Sequence, residues 1–138
     1  MDVNKYDKLL QGVRQFDNYW SDIGIDDAIA LLEDFSDEDW TGLEKILLER
    51  PPLWQVACAE ALSEISDTKR AFAISLTLLQ AGTRDVQIAA LDTIHALAVS
   101  GVVIAESSPR LRIAIETARV GAGAADVRML DALDQRLQ

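Results

Sequence analysis

Residues 51–97 carry one pattern twice, at a shift of 32 residues. The first copy places Trp54, Val56, Ala57, Cys58, Leu62 and Ile65 on one apolar stripe, and the second repeats it with Val86, Ile88, Ala89, Ala90, Ile94 and Leu97. The same shift carries Gln55 onto Gln87 and Glu60 onto Asp92, so polar positions agree too. Between the copies, residues 69–81 have helical spacing, and their counterpart at 37–49 sets Trp40 against Phe72, Ile46 against Leu78 and Leu47 against Leu79. A helix pair repeated at this length cannot bury its apolar face alone, and stacks on its neighbours as an α-solenoid. The expected class of activity is binding rather than chemistry.

The remaining chain fits this plan. Tyr6, Leu9, Leu10, Val13, Phe16 and Trp20 recur at three and four residues, which predicts one helix over residues 2–20 with Gly12 as its weak point. A short helix follows over 25–35. Ser36 with Asp39 three residues later predicts a capping box, and Pro51-Pro52 predicts both the end of that helix and the first turn of the next. Ser66-Asp67 marks the next break, and Gly82 is expected to act as a left-handed stop. The segment VVIAE at 102–106 reads as a helical turn or an apolar loop. Helix resumes near Pro109, and the last helix, 126–137, sets Val127, Leu130 and Leu133 over Ile88, Leu91 and Ile94 at a shift of 39. The expectation is one all-α domain over 1–138, a short right-handed solenoid of about four antiparallel hairpins. Residues 1–36 form an atypical first pair and 37–138 the regular ones.

Charge is distributed unevenly. Residues 1–67 hold 16 acidic and 5 basic side chains, a net −11, whereas 68–138 hold 7 and 8, a net +1. Asp17 to Asp39 contains nine acids and no base. Such a half repels phosphate backbones and anionic lipid and attracts basic proteins, so nucleic acid and membrane are not expected partners. Some of these acids, among them Asp26, Asp27, Asp37, Glu38 and Asp39, also favour helix starts with no partner involved. Reversing Asp26, Asp27, Asp37 and Asp39 to Lys is expected to leave the fold intact. A start lacking the basic and apolar regions of a secretory signal, and a single cysteine, suggest the cytoplasm.

Catalytic patterns are sparse. One His and one Cys make no His/Cys metal cluster, and Cys58 aligns with Ala90 as a packed small residue. The acidic runs DIGIDD and EDFSDED lack the ordered spacing of a calcium loop. Gly121-Ala122-Gly123 lacks the Lys of a phosphate loop. No enzyme, cofactor or metal is expected. Seven of the eight aromatics lie at or before Trp54, mostly on the apolar stripes where core residues belong.

The paired helices, with Pro at a helix start and Ala-rich second helices (WQVACAEALSEI and DVQIAALDTIHAL), resemble HEAT-type repeats over residues 37–137. The repeats are shorter than that family's norm, and Arg84-Asp85 only partly matches its linker pair. The resemblance implies that second helices line a concave binding side, where Gln55, Glu60, Glu64, Gln87, Asp92, Asp131 and Asp134 would face a partner. In size, charge and class the chain also resembles small acidic immunity proteins of bacterial contact-dependent and polymorphic toxin systems. That likeness implies a basic, nuclease-like toxin domain as the partner. The expected partner-binding residues are Asp22, Asp26, Asp27, Glu33, Asp34, Asp37, Glu38, Asp39, Glu60, Glu64 and Asp92. The alternative is a HEAT-like adaptor or assembly subunit.

Overall fold

The computed structural model describes residues 1–13, 20 and 24–137. Among these are eight α-helices and no strand: α1 (Asp2–Gln11), α2 (Ile25–Glu33), α3 (Asp37–Ile46), α4 (Pro52–Leu62), α5 (Thr68–Leu78), α6 (Arg84–Val99), α7 (Ser108–Arg119) and α8 (Ala124–Gln135). Short 3-10 turns at Leu47–Glu49 and Ala105–Ser107 complete the set. The helix expected over 2–20 is shorter, since α1 ends at Gln11 with Gly12 as its cap. Phe16 and Tyr19 lie outside the described residues.

Local chemistry accounts for most boundaries. Ser36 and Asp39 form the expected capping box: Asp39 N donates to Ser36 Oγ at 3.2 Å and Ser36 N donates back to Asp39 Oδ2 at 3.0 Å. Pro51 ends the preceding 3-10 turn, and Pro52 opens α4. Asp67 accepts from Arg70 N at 3.1 Å and starts α5. Gly82 does not act as the left-handed stop. The positive φ values belong to Gly101 (111°) and Gly121 (73°), which turn the chain after α6 and α7. The VVIAE segment is a loop running into the second 3-10 turn, with Ile104 buried and Val103 exposed.

The repeat register predicts burial well. Trp54 and Val86, Cys58 and Ala90, Leu62 and Ile94, and Ile65 and Leu97 are all buried pairs, and Leu130 and Leu133 of the looser copy are buried as well. Helix α6 packs against α4, α5, α7 and α8, and α2, α4, α6 and α8 touch in succession. Buried small residues on α4 and α6 (Ala57, Ala59, Ala61, Ala90) let these helices approach, and Thr93 Oγ1 donates across the gap to Ala59 O at 2.6 Å.

Several side-chain hydrogen bonds between helices span a similar separation. Ser66 Oγ to Glu33, Arg70 to Asp37, Thr93 to Ala59 O, Arg84 to Ala118 O and Arg110 to Leu76 O span 33 or 34 residues, and Arg136 to Ala98 O spans 38. Arg84, Arg110 and Arg136 thus clip the last-turn carbonyls of α7, α5 and α6, where a helix lacks internal donors and carries partial negative charge.

The described aromatics of the first half are core. Trp54 meets Tyr6, Tyr6 meets Phe35 and Phe35 meets Trp40, each edge to face with centroids 5.0 to 6.1 Å apart. Beside them lies the Cys58 thiol, fully buried, its pKa pushed up to about 12 by burial. Cys58 is therefore expected to resist alkylation by a thiol reagent in the native protein and to react once the chain is unfolded in denaturant. Rapid modification of the folded protein would contradict this packing.

Candidate functional site

The concave feature that gathers the most sequence-predicted residues is a groove of about 550 Å³, lined by α2, α4, α6 and α8. Five carboxylates stand on it: Glu60 and Glu64 from α4 and its C-terminal end, Asp85 and Asp92 from α6, and Asp126 from α8. Ile25, Ile88, Ala89, Ala96 and Met129 supply an apolar floor. Among the described residues, no Lys or Arg belongs to the lining. The spacing follows from the helices. Glu60 and Glu64 are one turn apart, and Asp85 and Asp92 two turns apart on α6, so each pair shares a face.

One carboxylate is held in place from within. Glu60 Oε2 accepts from Trp20 Nε1 at 2.7 Å, in a half-buried setting. Trp20 is seated against Gly24, where a Cβ would come within 2.8 Å of the indole, so only glycine allows that approach.

The structure sorts the other predicted residues into three groups. Glu60, Glu64 and Asp92 converge on the groove. Gln55 and Gln87 are not among its lining residues. They make equivalent internal bonds, Gln55 Nε2 to Leu47 O at 2.9 Å and Gln87 Nε2 to Ala81 O at 2.8 Å, and Gln55 is 4% exposed. Their recurrence has a structural cause, because each closes the turn that precedes its second helix. Asp131 and Asp134 are likewise engaged, both by Arg119.

The N-terminal acids also divide. Asp39 is buried, and its carboxylate accepts from Ser36 N, Ser36 Oγ and Val3 N. A Lys there would remove all three bonds and bury a charge, so the expectation that reversing Asp39 spares the fold is corrected. Glu33 accepts from Ser66 N and Oγ, and Asp37 from Arg70. Asp26, Asp27, Asp34 and Glu38 are exposed, with Asp27 and Asp34 near Lys5 on the α1–α2 side. Asp22 lies outside the described residues.

Asp85 and Asp126 are groove residues that sequence reasoning missed. Asp85 matches Leu53 under the 32-residue shift, so the repeat register carries no sign of it. Its seven-residue spacing from Asp92 on one helix face was the available signal. Among the described residues, no three of His, Cys, Asp and Glu are grouped as a metal-ligand set would be, and no helix is long and apolar enough to cross a membrane.

No protein-family model, curated protein or solved structure matches this chain.

Proposed function

We propose that the chain is a non-catalytic protein-binding module, a short right-handed solenoid of about four hairpins of HEAT type, and that its groove takes a basic protein. The observation that carries this reading is the groove itself, with five carboxylates over an apolar floor and, among the described residues, no basic residue in its lining. The contacts of α2, α4, α6 and α8 in succession, and bonds recurring at 33 to 38 residues, support the stacked arrangement.

The likeness in size and charge to toxin-immunity proteins makes a nuclease-like toxin domain the preferred partner, bound and blocked in the cytoplasm. Nucleases are basic because they hold phosphates, and a preformed acidic surface steers onto them quickly and occludes them. The apolar floor gives the adaptor reading its support, since Ile88 and Met129 can hold a partner at high salt.

The test compares wild type with the double variant Glu64→Lys and Asp92→Lys, both exposed groove residues. Wild type is expected to retain a basic protein at low salt, release it toward ~0.5 M salt and inhibit its activity. The variant should fold normally and lose that partner by about a hundredfold or more, two charges being reversed. Unchanged retention by the variant would remove the groove from the account. Retention at high salt without inhibition would select the adaptor.

A further inference from the structure

We propose that the α4 side of the groove is an arginine subsite built on Glu60, and that the occupant is an amphipathic segment of the partner carrying arginine. This rests on the groove being the protein-binding surface. Three observations carry it.

The first is preorganisation. Trp20 Nε1 fixes one oxygen of Glu60 at 2.7 Å, so the carboxylate is already oriented before a partner arrives. The other oxygen remains for a donor from outside, with Glu64 one turn further along and Asp92 on α6 in the same lining.

The second is unmatched charge. The arginines of the C-terminal half are largely committed elsewhere: Arg84, Arg110, Arg112 and Arg136 donate to main-chain carbonyls, and Arg119 binds Asp131 and Asp134. Among the described residues none of these cations lines the groove, so its carboxylates are open to a countercharge brought by another molecule. A guanidinium suits several neighbouring carboxylates better than an ammonium does, because its five N–H groups fan out in one plane while an ammonium acts as a point charge.

The third is the floor. Ile88, Ala89 and Met129 offer apolar contact that a purely cationic ligand cannot use, which favours a segment with arginine on one face and aliphatic side chains on the other.

The experiment titrates three probes into the full chain at low salt: an arginine–leucine amphipathic peptide, its lysine twin, and spermine. Glu60→Gln keeps an oxygen for the Trp20 N–H while removing the charge, and thermal melting confirms its fold. Asp26→Asn with Glu38→Gln, both exposed and outside the groove, serves as the control. Wild type should bind the arginine peptide about threefold or more tighter than the lysine twin, and Glu60→Gln should weaken the arginine peptide about tenfold and erase that preference. The control should behave as wild type.

Equal affinity for the two peptides, or undiminished binding by Glu60→Gln, overturns the arginine subsite. Spermine binding as tightly as the peptide overturns the segment and makes the groove a polyamine site. Failure here with partner loss intact in the Glu64 and Asp92 variant would leave the groove as the protein-binding surface. Failure in both would remove that reading as well.

Discussion

Trp54→Ala should lower stability by about 3–5 kcal/mol, visible as a fall in melting temperature of roughly 10–20 °C. Trp54 is 1% exposed near the start of α4, and its ring meets Tyr6 of α1 edge to face at 6.1 Å. Its Nε1 donates to Asp7 Oδ1 at 3.0 Å, and the same carboxylate receives Arg50 Nε at 2.8 Å and Nη2 at 2.7 Å. One side chain thus fills the core and helps hold the carboxylate that joins α1 to the α3–α4 turn. Truncation leaves a cavity and removes the Trp54 donor from Asp7. Trp54→Phe keeps a ring and loses the N–H, so it should fall between wild type and Ala. An unchanged melting temperature for Trp54→Ala would contradict the repeat register as well as the packing.

Asp39→Ala is the second large effect, expected at about 2–4 kcal/mol: loss of the carboxylate arm of the capping box plus stranding of the buried Val3 amide. It also reports on pH. The bond from the Ser36 amide, with those from Val3 N and the Ser36 hydroxyl, holds the Asp39 carboxyl below its ordinary range against the opposing effect of burial. The Arg50 fork does the same for Asp7, and the Ser66 hydroxyl and amide for Glu33. A carboxylate with a lowered folded pKa contributes stability that is fully present above its unfolded value, near pH 4, and is lost as pH falls through the folded value.

These three groups all fasten the N-terminal helices: Asp7 and Asp39 hold α1, and Glu33 joins α2 to the residues before α5. Acid should therefore destabilise the protein below about pH 4, and α1 should lose its amide-exchange protection before α6 does. In Asp39→Ala the slope of stability against pH over that range should be shallower. A slope equal to wild type would show that the Asp39 bonds contribute nothing.

The helices were legible in the sequence because their causes are local. Ser36 and Asp39 face each other within one turn, Pro51 restricts the residue before it, and stripes such as Trp54, Cys58 and Leu62 follow helical periodicity. The 32-residue recurrence also located buried residues in α4 and α6, because equivalent positions on their apolar stripes are buried in both helices. The recurrence of Gln55 and Gln87 has a local structural cause, since each closes a turn.

Net charge, its concentration before residue 68 and the eight-helix plan were determined by the sequence alone. Which acids remain available was decided by tertiary structure. Burial and capping claim Asp39 and hydrogen bonds from Ser66 engage Glu33, while the approach of α4, α6 and α8 brings Glu60, Glu64, Asp85, Asp92 and Asp126 to one groove. The physical reason is range. A helix start is settled within four residues, whereas the groove depends on packing between side chains as far apart in sequence as Ile25 and Met129.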